Sequence, residues 1–184
     1  MMKIETATIR RLRDALLQSG RRPSTIMSSA YEVLTRQGML TPQESAALSR
    51  VDPMAETMFL MMAADGKVAD AERDAVRGAI RGLTDNLLRS GTIKVMLEVY
   101  EQRLADQGRD ARLQEIAEAI AEDAHEAEGA FSLAAAVALA DDEIHDEENA
   151  FINQLAQWFG ISQERANEIL DQLEGDRHAQ VQEE

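Results

Sequence analysis

The sequence predicts an all-α protein, because apolar residues recur at helical spacing almost throughout, alternating apolar/polar runs are absent, and obligatory breaks are few. Three prolines and ten glycines interrupt 184 residues. Hydrophobic residues make up 45% of the chain but aromatic ones only 4%, so the core must be aliphatic. Ala, Leu and Met in that set are also strong helix formers. The architecture expected is one compact helical domain with two pseudo-symmetric helix–acidic turn–helix units and an N-terminal helical extension. Its parts are a basic extension over 1–50, an all-helical domain over 51–174, and a disordered polar tail over 175–184.

The elements follow in order. A first helix runs from Ile4 to Gln18 and stops at Gly20 and Arg21-Arg22-Pro23. Ser24 caps a second, which ends at Gly38. Thr41-Pro42-Gln43-Glu44 is a capping box with proline at the first helical position, where its missing N–H costs nothing. Asp52-Pro53 repeats the device and predicts a new helix with Met54, Met58, Met61 and Met62 on one stripe. Asp65-Gly66 is a turn, and a helix starts near Asp70. Thr92 caps the next helix and Gly108 ends it. Asp110 opens another, and the segment Phe131–Ala140, apolar on most sides, is the expected central helix. An acidic turn at Asp141 leads into a helix closed by Gly160, and Ser162 caps the last one.

Composition excludes several function classes. The formal charge is −15, from 34 acidic and 19 basic residues, which repels nucleic acid. Residues 1–22 hold six basic and two acidic side chains, a net of +4, leaving −19 for the rest. There is no cysteine, so disulfides, thiolate nucleophiles and Cys-ligated metals are out, in keeping with a reducing, cytoplasmic setting. Arg10, Arg11 and Arg13 interrupt the stretch a signal peptide would need. The longest uncharged apolar run, Ala130–Ala140, is too short to span a bilayer. Neither a G-x-S-x-G elbow nor a Gly-rich phosphate loop occurs, so a non-enzymatic protein without an organic cofactor is expected.

The informative feature is an internal repeat. Residues 63–72, AADGKVADAE, align without gaps on residues 139–148, LADDEIHDEE. Ala64, Asp65, Asp70 and Glu72 match Ala140, Asp141, Asp146 and Glu148, and Val68 matches Ile144. With Asp65 at position 5 of an EF-hand loop, Gly66 and Glu72 fall at positions 6 and 12, but Met61 and Ala63 occupy positions that should donate oxygen. Each turn thus offers half a calcium site, and two half-sites could make one.

The ADGxV pattern with Glu four residues after the Val, used twice in a helical domain of this length, resembles the tellurite-resistance TerB-like family over about residues 53–173. The resemblance implies an all-helical fold with pseudo-two-fold halves and acidic residues from both turns on one face as a metal site. It also implies a role in bacterial responses to tellurite, phage and other chemical stress. The ligands carried over are Asp65, Glu72, Asp141 and Glu148, with Asp142, Asp70 and Asp146 secondary. The second copy departs from the pattern in having Asp142 for Gly and His145 after the Ile.

The expected cation is divalent: Ca²⁺, Mg²⁺, Mn²⁺ or Zn²⁺. Expected partners are proteins of a stress-response assembly, which can sit at a membrane, and a second copy of the chain is a candidate. Asp70 and Asp146 equally suit helix capping, and the carboxylates of 141–148 equally suit a solvated face. The competing reading is a metal-free interaction module whose acidic face docks a basic partner. Glu122-x-x-His125 matches half of a di-iron motif, but no second copy exists, so His125 is expected at the surface.

Overall fold

The structure is a computed structural model describing residues 6–18, 34, 37–38, 40–63, 70–120, 123–139 and 146–182. Among the described residues there are eight α-helices and no strand. They are α1 (Thr6–Gln18), α2 (Pro42–Met62), α3 (Asp70–Leu83), α4 (Ser90–Gln107), α5 (Arg109–Ile120), α6 (Ala124–Leu139), α7 (Asp146–Trp158) and α8 (Gln163–Gln182). The helix expected from Ser24 falls largely outside the described residues.

The core is built on α2 and α6, the most extensively packed pair. From Glu126 to Ala138 every residue of α6 but Glu128 is buried, as its all-round apolar sequence requires. Met54, Met58 and Met62 of α2 are buried, and Met61 partly so. Gly129 of α6 lets the two helices approach: a Cβ there would stand 3.0 Å from the Met54 Sδ. Helices α3, α4 and α5 pack on α2, while α7 and α8 pack on α6.

Local signals explain several helix ends. The Thr41 hydroxyl accepts from the Glu44 N–H at 3.2 Å, with Pro42 in the first turn. Gly160, at φ +69°, closes α7 with the Ile161 N–H on the Ala156 carbonyl at 2.8 Å, a Schellman arrangement. The Ser162 hydroxyl caps α8 through the Arg165 N–H at 3.2 Å. Two expected starts are corrected. Asp52-Pro53 begins no new helix, because α2 runs through Pro53, carried by a buried face continuous from Leu48 and Val51 to Met54 and Met58. Thr92 caps nothing: it lies inside α4, which starts from Arg89, and its hydroxyl donates to Glu44.

Several described residues outside 51–174 pack onto the rest. Leu12, Leu34, Ala47 and Leu48 are buried. Helix α8 continues past Gly175, where composition suggests a tail, and Asp176 is buried beneath α1.

Candidate functional site

The two acidic segments fall in the chain between α2 and α3 and between α6 and α7. Asp65, Asp141 and Asp142 lie outside the described residues. Asp70 and Glu72 stand in the first turn of α3, Asp70 exposed and Glu72 half-buried. Asp146 and Glu148 stand in the first turn of α7. On α3 the first-turn carboxylates complement the positive helix end. Among the described residues, no three His, Asp or Glu side chains gather so as to hold a metal. The side chains expected as ligands are all carboxylates, a type that suits hard cations such as Ca²⁺ and Mg²⁺.

Arg109 links the surroundings of the two turns. Ala63, the residue that caps α2 just before the first turn, lines an open cleft of about 430 Å³ with Leu104, Gln107, Gly108, Arg109, Asp110 and Ala111. The same Arg109 guanidinium lies 4.2 Å over the ring of Phe151 in α7, a cation–π contact five residues beyond Asp146. Gly108 makes the corner between α4 and α5 with φ +83°, a conformation glycine adopts without strain. Close by on the surface, Arg73 of α3 pairs with Glu101 of α4.

Helices α2, α4 and α5 also bury a set of polar groups between them. Asp52 and Glu56, one turn apart on α2, are 1% and 4% exposed. The Tyr100 hydroxyl donates to Asp52. Arg112 Nε donates to both oxygens of Glu56 at 2.9 and 3.0 Å, and its Nη1 reaches Glu115 at 3.1 Å. Burial holds Glu56 above the ordinary carboxylate range despite Arg112, and burial with the Asp52 charge pushes the Tyr100 phenol well up. Glu44, the third buried carboxylate of α2, accepts from the Arg89 N–H at 3.3 Å and the Thr92 hydroxyl at 2.8 Å. Burial opposes its charge, but bonds from Arg89 and Thr92 prevail and hold it below the usual range. It therefore caps α4 rather than closing the box on its own helix. The signal for these groups was two carboxylates at helical spacing on the side of α2 opposite the methionine stripe, with an arginine preceding Leu113.

His125 is exposed, its backbone N–H bound by the capping Asp123 at 3.0 Å. No helix among the described residues is long and apolar enough to cross a membrane. The family model described as Tellurite resistance protein TerB matches residues 51–171. The chain belongs to the TerB family. No individual curated protein and no solved structure matches it. The TerB match takes in both acidic turns, Asp52, Glu56, Tyr100, Arg109 and Arg112. It leaves out α1, the first nine residues of α2 with Glu44, and the end of α8 with Asp176.

Proposed function

We propose that this TerB-family chain is a non-catalytic, cation-binding helical module acting in the cytoplasmic response to tellurite, other chemical stress or phage. Asp65, Glu72, Asp141 and Glu148 are its ligands, with Asp142, Asp70 and Asp146 as further donors, and its partners are other proteins of the stress assembly or a second copy of itself. The observation that carries the reading is Arg109. It lines one cleft with Ala63, next to the first turn, and stacks on Phe151, shortly after the second. Two turns flanked this way can share a cation that neither could hold alone, since Ca²⁺ takes six to eight oxygens. Within this scheme residues 1–50 are an extension docked on the domain of residues 51–174.

The test is thermal melting with millimolar Ca²⁺, Mg²⁺, Mn²⁺ or Zn²⁺. A cation bound only by the native state at a hundredfold excess over its dissociation constant adds about 2.7 kcal/mol. For a chain this long that is roughly 5–10 °C. Asp65→Asn and Asp141→Asn should each remove most of the shift, because a shared site loses a ligand either way. If no cation moves the curve, the metal-free reading takes its place, with the acidic face docking a basic partner.

A further inference from the structure

Helix α1 and the end of α8 meet each other outside the region that matches the family. The buried Asp176 carboxylate receives the Thr8 hydroxyl and the Arg11 guanidinium, both at 2.9 Å. Gln172, one turn earlier on α8, donates to its other oxygen at 3.2 Å. On the opposite flank α1 rests on α3. There Ile9 sits against Gly82 so closely that a Cβ on the glycine would stand 2.6 Å from the Ile9 methyl Cγ2. Leu12 of the same helix is buried, and Arg13 reaches Asp85 at 3.7 Å beyond the end of α3.

We propose that α1 is a releasable strap, seated in a groove between α3 and α8 that is built to receive one basic amphipathic helix and that opens without unfolding the TerB core. The seat has a charge-reading element, Asp176, and a shape-reading element, Gly82. Neither serves the α2–α6 core. Gly82 lies inside a helix, where alanine would be the better residue, and it is needed only because a stiff β-branched side chain presses on it. The strap joins α3, the helix leaving the first acidic turn, to α8, the last in the chain. Its release frees the groove and presents Ile9, Arg11 and Leu12 together, a basic amphipathic surface within an otherwise acidic protein. Helix α1 packs mainly on α3 and α8 and not on the central pair, so it can open locally while that pair stays closed.

Amide hydrogen exchange of the full chain, read by mass spectrometry on peptides from α1 and α6, tests this. Gly82→Ala favours α3 as a helix but blocks Ile9. It should speed exchange in α1 at least tenfold and leave α6 within twofold of the parent. Adding Ile9→Ala to Gly82→Ala clears the clash and should bring α1 protection most of the way back. Asp176→Asn should release α1 in the same way through the other half of the seat. Unchanged α1 exchange in both single variants overturns the proposal. So does acceleration of α1 and α6 together, since α1 would then be part of the cooperative core. Failure of the double variant to recover protection removes the Ile9–Gly82 seat.

Discussion

The Tyr100 hydroxyl donates a hydrogen bond to the Asp52 carboxylate, 48 residues earlier in the chain, with both residues 1% exposed. The Tyr100 ring packs on Phe59 with centroids 5.8 Å apart. Tyr100→Phe keeps that packing and deletes the donor, leaving a buried carboxylate short of a partner. The expected loss is about 1–3 kcal/mol, the cost of under-satisfying a buried acceptor. Thermal melting followed by circular dichroism should show a midpoint several degrees lower with helical content unchanged. A midpoint equal to the parent's would mean that the bond contributes nothing net.

The Glu56–Arg112 pair behaves differently under single and double substitution. Arg112→Met leaves Glu56 buried and unpaired, at an expected cost of about 3–5 kcal/mol. Glu56→Leu combined with Arg112→Met removes both charges and should recover most of that loss, because an apolar pair needs no desolvation. Urea unfolding of the parent, the single variant and the double variant checks this. A double variant no more stable than Arg112→Met alone would show that the pair matters through shape, not charge.

Glu56 also sets a pH dependence of unusual sign. Its folded-state pKa is raised, so the native chain holds this proton more tightly than the unfolded chain does. Its contribution to stability is therefore complete below the ordinary glutamate value of about 4.3 and is lost as pH rises through the raised value. Glu44 and Glu128, both lowered, act in the opposite direction and lose stability as pH falls. Glu56→Gln should flatten the decline that sets in above the ordinary glutamate value while leaving the acid limb in place. Parallel stability curves for parent and variant would rule out this role for Glu56.

Deleting residues 1–50 removes the buried side chains of Leu12, Leu34, Ala47 and Leu48. The remaining chain should still melt in one cooperative step, at a lower temperature than the parent. A broad, non-cooperative transition would extend the folding unit to the N-terminal helices.

The helical class, the central position of α6 and the caps at Thr41, Gly160 and Ser162 were legible in the sequence because each depends on neighbours within a few residues. Asp52-Pro53 misled for the same reason. Proline at a helix start and proline inside a helix share one local signature, and only the buried face continuing from Val51 to Met54 tells them apart. Thr92 and Glu44 each carried a sound local capping signal. Their side chains meet each other instead, across 48 residues, and no local pattern encodes that. The buried bonds of Asp52 to Tyr100 and Glu56 to Arg112 depend on equally distant partners. For the acidic segments, the sequence offers only carboxylates and their spacing as a proposed ligand set, while the Arg109 contact with Phe151 appeared only in three dimensions.

The single tryptophan stands where a reporter would be placed by choice. Trp158 makes an edge-to-face contact with Phe151 at 6.1 Å, and Phe151 carries the Arg109 guanidinium on its ring. With no other indole in the chain, its fluorescence is a one-site optical readout of α7, the helix that leaves the second acidic turn. A shift of α7 that disturbed the Phe151 ring would alter the emission of Trp158 without any added label. A cation bound as proposed would thus be followed in the unmodified protein at micromolar concentration, and Phe151→Leu, which removes the ring beneath Arg109, should weaken both the emission change and the melting shift.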